Sequence, residues 1–190
     1  MPKKSLKPTS ALLVTPVALV TCQDEEGKSN IITLAWVGVA NSDPPMISIA
    51  IRPQRHSYGI VKKTGEFVVN LPPAGIVKET DVCGVVSGSK LDKFAATRLT
   101  PIKAEQVKAP LIKECPVNFE CRVKTVVPLG SHDLFLGEVV AAHMDTEIQD
   151  EKGRMDVDKA NLFVFCAGAT EYWSLREKIG GYGFSKGKLD

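Results

Sequence analysis

The chain has 190 residues, 44% of them hydrophobic and 24% charged, with a formal net charge of +2. That length suits one well-buried domain and is short for two. The near-neutral balance and an aromatic content of 6% give no basic stripe for a polyanion, so a nucleic-acid groove is disfavoured and an ordinary globular protein is expected.

Residues 1–10 are polar, with Lys and Pro, and are expected to form an arm of low intrinsic order. The basic start followed by apolar residues superficially resembles a secretion signal. However, Thr15 and Pro16 interrupt the apolar run and no small-residue cleavage site follows, so a cytoplasmic protein with no membrane partner is expected. Residues 16–23 (PVALVTCQ) have strand composition, 24–27 are polar and end in Gly, and Ser29 restarts an apolar run, which is the pattern of a hairpin. Residues 30–39 mix Asn and Thr with Ile, Leu, Ala and Trp and are read as one strand whose backbone can face a flat, partly polar ligand. After Pro44-Pro45, the short β-branched run 46–51 predicts a buried strand that ends on Arg52, Arg55, His56, Ser57 and Tyr58. Such a cluster can hold an anion, because Arg makes forked charge-assisted bonds and Ser and free backbone N–H groups add shorter donors.

Residues 56–63 fit a short helix stopped by Gly65, and 66–71 (EFVVNL) a further strand. The apolar spacing in 75–87 predicts a helix, followed by the loop SGSKLDKF over 87–94, read either as a solvated loop or as a ligand contact. Two β-rich runs, 114–127 and 133–143, flank residues 128–132 and predict a long hairpin. Residues 145–161 are polar and suggest a peripheral excursion, and 162–167 (LFVFCA) a last core strand. The tail carries Tyr172, Trp173, Tyr182 and Phe184, aromatics expected to pack on their own domain or on a partner chain.

No repeat and no glycine-rich phosphate loop occurs. Many short strands with two or three helices predict a mainly β fold, a closed or nearly closed barrel with helices at its edges, and argue against a doubly wound parallel sheet. The five cysteines include no C-x-x-C pair and are read as small buried hydrophobes, and the three histidines, His56, His132 and His143, are too scattered for a metal site. A redox cofactor would therefore be organic.

Three ordered segments, PVALVTCQDEEGKSNIITLAW, ANSDPPMISIAIRPQRHSYGIVKKTGEFVVNLP and GSHDLFLGEVV, resemble the flavin reductase-like family, its flavoredoxin-type branch in particular. The resemblance runs from about Thr15 to the C-terminal YWSLREKIGGYGFS. It implies a split β-barrel over residues 15–170, preceded by an arm over 1–14 and followed by a tail over 171–190 that packs on the domain or on a dimer partner. It also implies non-covalently bound FMN and a homodimer with the flavin near the subunit interface. Asn30, Thr33, Leu34, Ala35 and Trp36 match the segment beside the isoalloxazine ring, although Trp36 also reads as a core aromatic. Arg52, Arg55, His56, Ser57 and Tyr58 match the phosphate and ribityl region, and Lys90 and Phe94 the loop that completes the pocket. His132 is either a hydrogen-bonded turn residue or, as the resemblance implies, a group on the open side of the flavin that orients a nicotinamide or another acceptor, whereas His143 is read as structural. The expected activity is electron transfer through FMN, from NAD(P)H to flavin, ferric iron or a redox partner protein. The alternatives are a flavoredoxin-like carrier without NAD(P)H activity and, more remotely, a non-enzymatic barrel-shaped binding module.

Overall fold

The computed structural model describes residues 1–12 and 14–186. Its main sheet grows from three pairs of consecutive antiparallel strands and one further strand between the second and third pairs. Strand β1 (Thr15–Pro16) is short. It is followed by β2 (Ala18–Gln23), β3 (Ser29–Leu34), β4 (Val37–Ser42), β5 (Pro45–Ile51), helix α1 (His56–Thr64) and β6 (Glu66–Leu71). A 3-10 turn (Ala74–Ile76) leads into α2 (Val77–Val85), then α3 (Lys93–Thr97), the short β7 (Pro101–Ile102) and β8 (Leu111–Ile112), and the long pair β9 (Val117–Pro128) and β10 (Asp133–Met144). Helix α4 (Val157–Ala160), β11 (Phe163–Cys166) and β12 (Glu171–Ser174) complete the chain.

Seven strands form one antiparallel sheet in the order β3-β2-β6-β9-β10-β5-β4. The sheet curls until Val20, Ile32, Ile49, Ile51, Phe67, Val69 and Phe135 meet in one buried cluster, yet its edge strands β3 and β4 are not paired with each other. It is a barrel left open along one seam. The run Ala18–Cys22 in β2, apolar except for Thr21, follows from burial on both faces. Ala18, Val20 and Cys22 point into the barrel, whereas Leu19 packs outside it with Ile31, Cys83, Leu99, Ile112 and Cys115 under α2 and α3. Gly137, at a bulge in β10, is required because a Cβ there would lie 2.5 Å from Phe67 Cζ.

Several expectations are corrected. Residues 30–39 do not form one strand: the chain leaves the sheet at Ala35–Trp36, and the Trp36 carbonyl accepts from Ala50 N (2.9 Å) as the chain enters β4, so pairing with β5 decides the break. The run 162–167 does form a strand, but it joins β1 and β12 in a separate three-stranded sheet and not the main one. The loop 87–94 ends in a helix start, with Asp92 Oδ1 accepting from Ala95 N at 3.1 Å. The excursion over 145–161 is polar outside but buries Ile148 and Ala160 against Val117. In the tail, Glu171–Ser174 is a strand and Tyr172 docks edge-on to Phe163, while Tyr182 and Phe184 stay exposed. Among the described residues no helix is long and apolar enough to cross a membrane.

Candidate functional site

The open seam holds a cavity of about 460 Å³, within the range of small-molecule sites. One wall comes from the barrel: Thr33, Leu34, Ala35 and Trp36 where the chain passes from β3 to β4, and Arg52 just past β5. The opposite wall comes from Asp81, Gly84 and Val85 of α2 and from Phe165, Thr170 and Tyr172 of the small sheet. An edge strand leaves a line of backbone N–H and C=O groups without a sheet partner, so β3 brings polar backbone to a wall that also carries apolar side chains such as Leu34 and Ala35. Thr33 Oγ1 turns away and donates to the Thr80 carbonyl, which ties β3 to α2.

The cavity continues past Arg55 and Gly84 into a smaller recess of about 90 Å³ lined by Asn30, His56, Ser57, Ser87, Gly88 and Lys93. Its floor is the first turn of α1. Arg55 occupies the N-cap position without making a side-chain cap bond, and no acid stands in the first turn, so the free N–H groups and the helix dipole meet an incoming group uncompensated. Asn30 Nδ2 donates to Ser57 Oγ at 2.7 Å, and both residues are buried. Gly88 lies so close that a Cβ on it would sit 2.0 Å from Asn30 Oδ1. Lys93 closes the back: its buried ammonium donates to the carbonyls of Ile31 (2.7 Å) and Cys83 (2.6 Å). Burial, with the like charge of Arg55 added, holds that ammonium below the ordinary lysine range. Burial also pushes the neighbouring thiols up, Cys22 to about 12 and Cys83 to about 11, so neither supplies a thiolate at neutral pH.

At the other end His132 stacks on Trp36, centroids 5.9 Å apart and planes within 10°. Arg52 Nε donates to His132 Nε2 (3.3 Å), and His132 Nδ1 lies 2.9 Å from Ser131 Oγ. That contact needs a lone pair on Nε2 and therefore a neutral ring. Burial and then the charges of Arg52 and Arg55 hold the imidazole below the ordinary histidine range, in keeping with it. Across the cavity Tyr172 Oη donates to Asp81 Oδ1 (3.1 Å), and burial together with that carboxylate pushes the phenol up to about 12.

The structure thus brings Thr33, Leu34, Ala35, Trp36, Arg52, Arg55 and His132 to the large cavity and Asn30, His56 and Ser57 to the recess. It does not bring Tyr58, Lys90 or Phe94 to either wall. Tyr58 turns inward to Asp133 and Phe135, Lys90 is exposed, and Phe94 packs on the cluster around Leu19 and Ile112. Sequence reading missed Lys93, Gly88 and the wall of α2 and the small sheet. Asp92 is a helix-capping residue type, which was a usable hint that the next residue starts a helix and so differs from Lys90 in orientation. His143 bonds to Glu120 (2.7 Å) away from both recesses.

Residues 10–168 match the family described as "Flavin reductase like domain". Among curated proteins, an uncharacterized protein of Archaeoglobus fulgidus is 36% identical over 125 residues, 66% of this chain and 71% of that protein. Among solved structures, the flavoredoxin of Desulfovibrio vulgaris (Miyazaki F) superposes with a TM-score of 0.91 at 31% identity, covering 98% of this chain and all (100%) of that one. A flavoredoxin from Methanosarcina acetivorans gives 0.89 at 29% identity, covering 99% and 100%.

Proposed function

The chain belongs to the flavin reductase-like family, and from that premise we propose that it is an oxidoreductase working through non-covalently bound FMN. The observation that carries this reading is a cavity of about 460 Å³ that shares Ile32, Arg55 and Gly84 with a small cationic recess at an uncapped helix start. A ring system with a monophosphate tail has those two parts. Arg55, the first N–H groups of α1, Ser57 and the remaining Lys93 N–H would hold the phosphate, and the backbone of Thr33–Trp36 would lie along the ring. Asn30 fixes the Ser57 hydroxyl. When bound, the flavin would supply the hydride and electron chemistry. Arg52 and Ser131 keep His132 neutral and fixed in plane, so that it presents a flat polar edge to a nicotinamide or another acceptor without carrying positive charge.

The donor is read as NAD(P)H or a redox partner protein, and the acceptor as flavin, ferric iron or a partner. The likeness to two flavoredoxins supports a second version, electron transfer without NAD(P)H activity. A homodimer is part of the same reading, supported by Ile179, Tyr182 and Phe184, which lie exposed beyond the small sheet. Replacing Arg55 and Ser57 together by Ala should weaken FMN roughly a hundredfold and riboflavin less than about threefold. Equal losses would sink the phosphate assignment. Anaerobic addition of NADH and NADPH to the FMN-loaded protein separates the two versions, since absence of bleaching removes the reductase.

A further inference from the structure

Tyr58 sits in the first turn of α1, one residue past Ser57, yet its side chain does not line the recess. Its ring packs edge-on against Phe135 (5.7 Å, 76°), and its hydroxyl donates to Asp133 Oδ2 at 2.7 Å. Lys62, one turn further along α1, donates to the same hydroxyl (2.7 Å), with its ammonium 3.9 Å from Asp133 Oδ2. Asp133 is only 8% exposed, opens β10, and is the residue next to His132. One short bond therefore spans 75 positions and joins the element that floors the recess to the turn that carries the imidazole.

We infer that Tyr58 and Asp133 are positioning residues, locking the first turn of α1 to the turn bearing His132 so that the two ends of the cavity keep one spacing. This rests on the proposed function for its purpose, because the spacing matters when one ligand must reach both ends. The groups that face the imidazole are Arg52 after β5, Arg55 at the N-cap of α1, Ser131 in its own turn and Trp36 from the other edge of the seam. If the lock is cut, the ring moves away from Trp36 and the Arg52 guanidinium, and both influences that hold it neutral weaken.

The test is the titration of His132 in the flavin-free protein, followed by NMR and assigned with His132→Gln. Tyr58→Phe keeps the packing on Phe135 and removes only the hydroxyl, and it should raise the His132 pKa by about 0.5 unit. Asp133→Ala cuts the bond from the other side. Loss of a nearby negative charge would by itself lower an imidazole pKa, so an upward shift in Asp133→Ala can come only from lost position. Phe135→Leu loosens the core next to Tyr58 without touching the bond, and should lower the melting temperature while leaving the titration where it was. A titration unmoved in Tyr58→Phe, a downward shift in Asp133→Ala, or an equal shift in Phe135→Leu would each overturn the inference. Failure of the wild-type protein to bind flavin would defeat the functional reading and leave this titration valid.

Discussion

Gly88→Ala tests the recess by displacing the Asn30–Ser57 pair and not by removing a side chain. The added Cβ would stand 2.0 Å from Asn30 Oδ1, 2.5 Å from Cγ and 2.8 Å from Nδ2, so the whole amide must leave its place. Asn30 is 6% exposed, which leaves it little room to rotate into. The bond from Nδ2 to Ser57 Oγ then breaks, costing about 1 kcal/mol for a buried pair, and the overpacking adds roughly 1–3 kcal/mol. The fold should therefore lose roughly 2–4 kcal/mol. Ser57 Oγ, freed from Asn30, would no longer be aimed at the phosphate. A hydrogen bond to a charged group contributes roughly 1.5–3 kcal/mol, so FMN affinity should fall roughly tenfold to a hundredfold. Fluorescence quenching during titration of the flavin-free protein reads the affinity, and urea unfolding reads the stability. Gly75→Ala is the control, because a Cβ there has nothing within 4 Å. FMN affinity held within about threefold in a folded Gly88→Ala protein would refute the role given to the pair Asn30–Ser57.

Glu120 offers a prediction about stability and pH. It is fully buried and accepts backbone N–H bonds from Glu105 (2.9 Å), Gln106 (2.6 Å) and Val107 (3.0 Å), as well as the His143 contact. Burial pushes its carboxyl up, but those donors more than offset it and leave it below the ordinary range. Its stabilisation is thus complete above the unfolded pKa of about 4.3 and is lost as pH falls through the lower folded value. Glu120→Gln turns a donor toward donors and should cost about 3–5 kcal/mol at neutral pH. That deficit, read from urea midpoints, should narrow below about pH 4, and a deficit independent of pH would count against the charge. Tyr172→Phe removes the bond to Asp81 that joins the small sheet to α2 in one wall of the cavity, and should cost about 1 kcal/mol of stability while altering flavin affinity less than Gly88→Ala does. Equal effects on affinity would place the tyrosine hydroxyl on the ligand.

The parts of the fold that could be read in the sequence are those whose cause is local. The strand Glu66–Leu71 and the helix His56–Thr64 were expected to within a residue, because an apolar run and a glycine stop are both short-range signals, and Gly65 does adopt a left-handed φ of 70°. The break at Ala35–Trp36 was not legible, since no Gly or Pro marks it and the cause is a hydrogen bond to Ala50. The strand Phe163–Cys166 was visible, but the sheet it joins is chosen by Thr15 and Pro16, some 150 positions away. The same division runs through the site. Arg55, His56 and Ser57 lie together in sequence and line one recess because all three belong to the start of α1, whereas Arg52, grouped with them in sequence, lines the large cavity beside His132. Lys93 was overlooked in favour of Lys90 because the carbonyls that bury it belong to Ile31 and Cys83, which only the packing of α2 and α3 on β3 brings together.

The unpaired seam explains why the site lies where it does. Closing the barrel would require β3 to hydrogen-bond β4, and the two are consecutive strands with only Ala35 and Trp36 between them. A two-residue connection between antiparallel neighbours normally makes a hairpin, with a turn built from residues that tolerate positive φ. Neither Ala35 nor Trp36 has that property, and neither adopts it. Instead Trp36 is drawn toward β5 through its carbonyl, which carries β4 to the far edge of the sheet and holds the seam apart. The backbone polar groups left there need partners. Lys93 takes one, the Ile31 carbonyl. A flat ligand with its own donors and acceptors is suited to take others, so the choice of a non-turn sequence between two strands is what leaves the barrel with a candidate binding site.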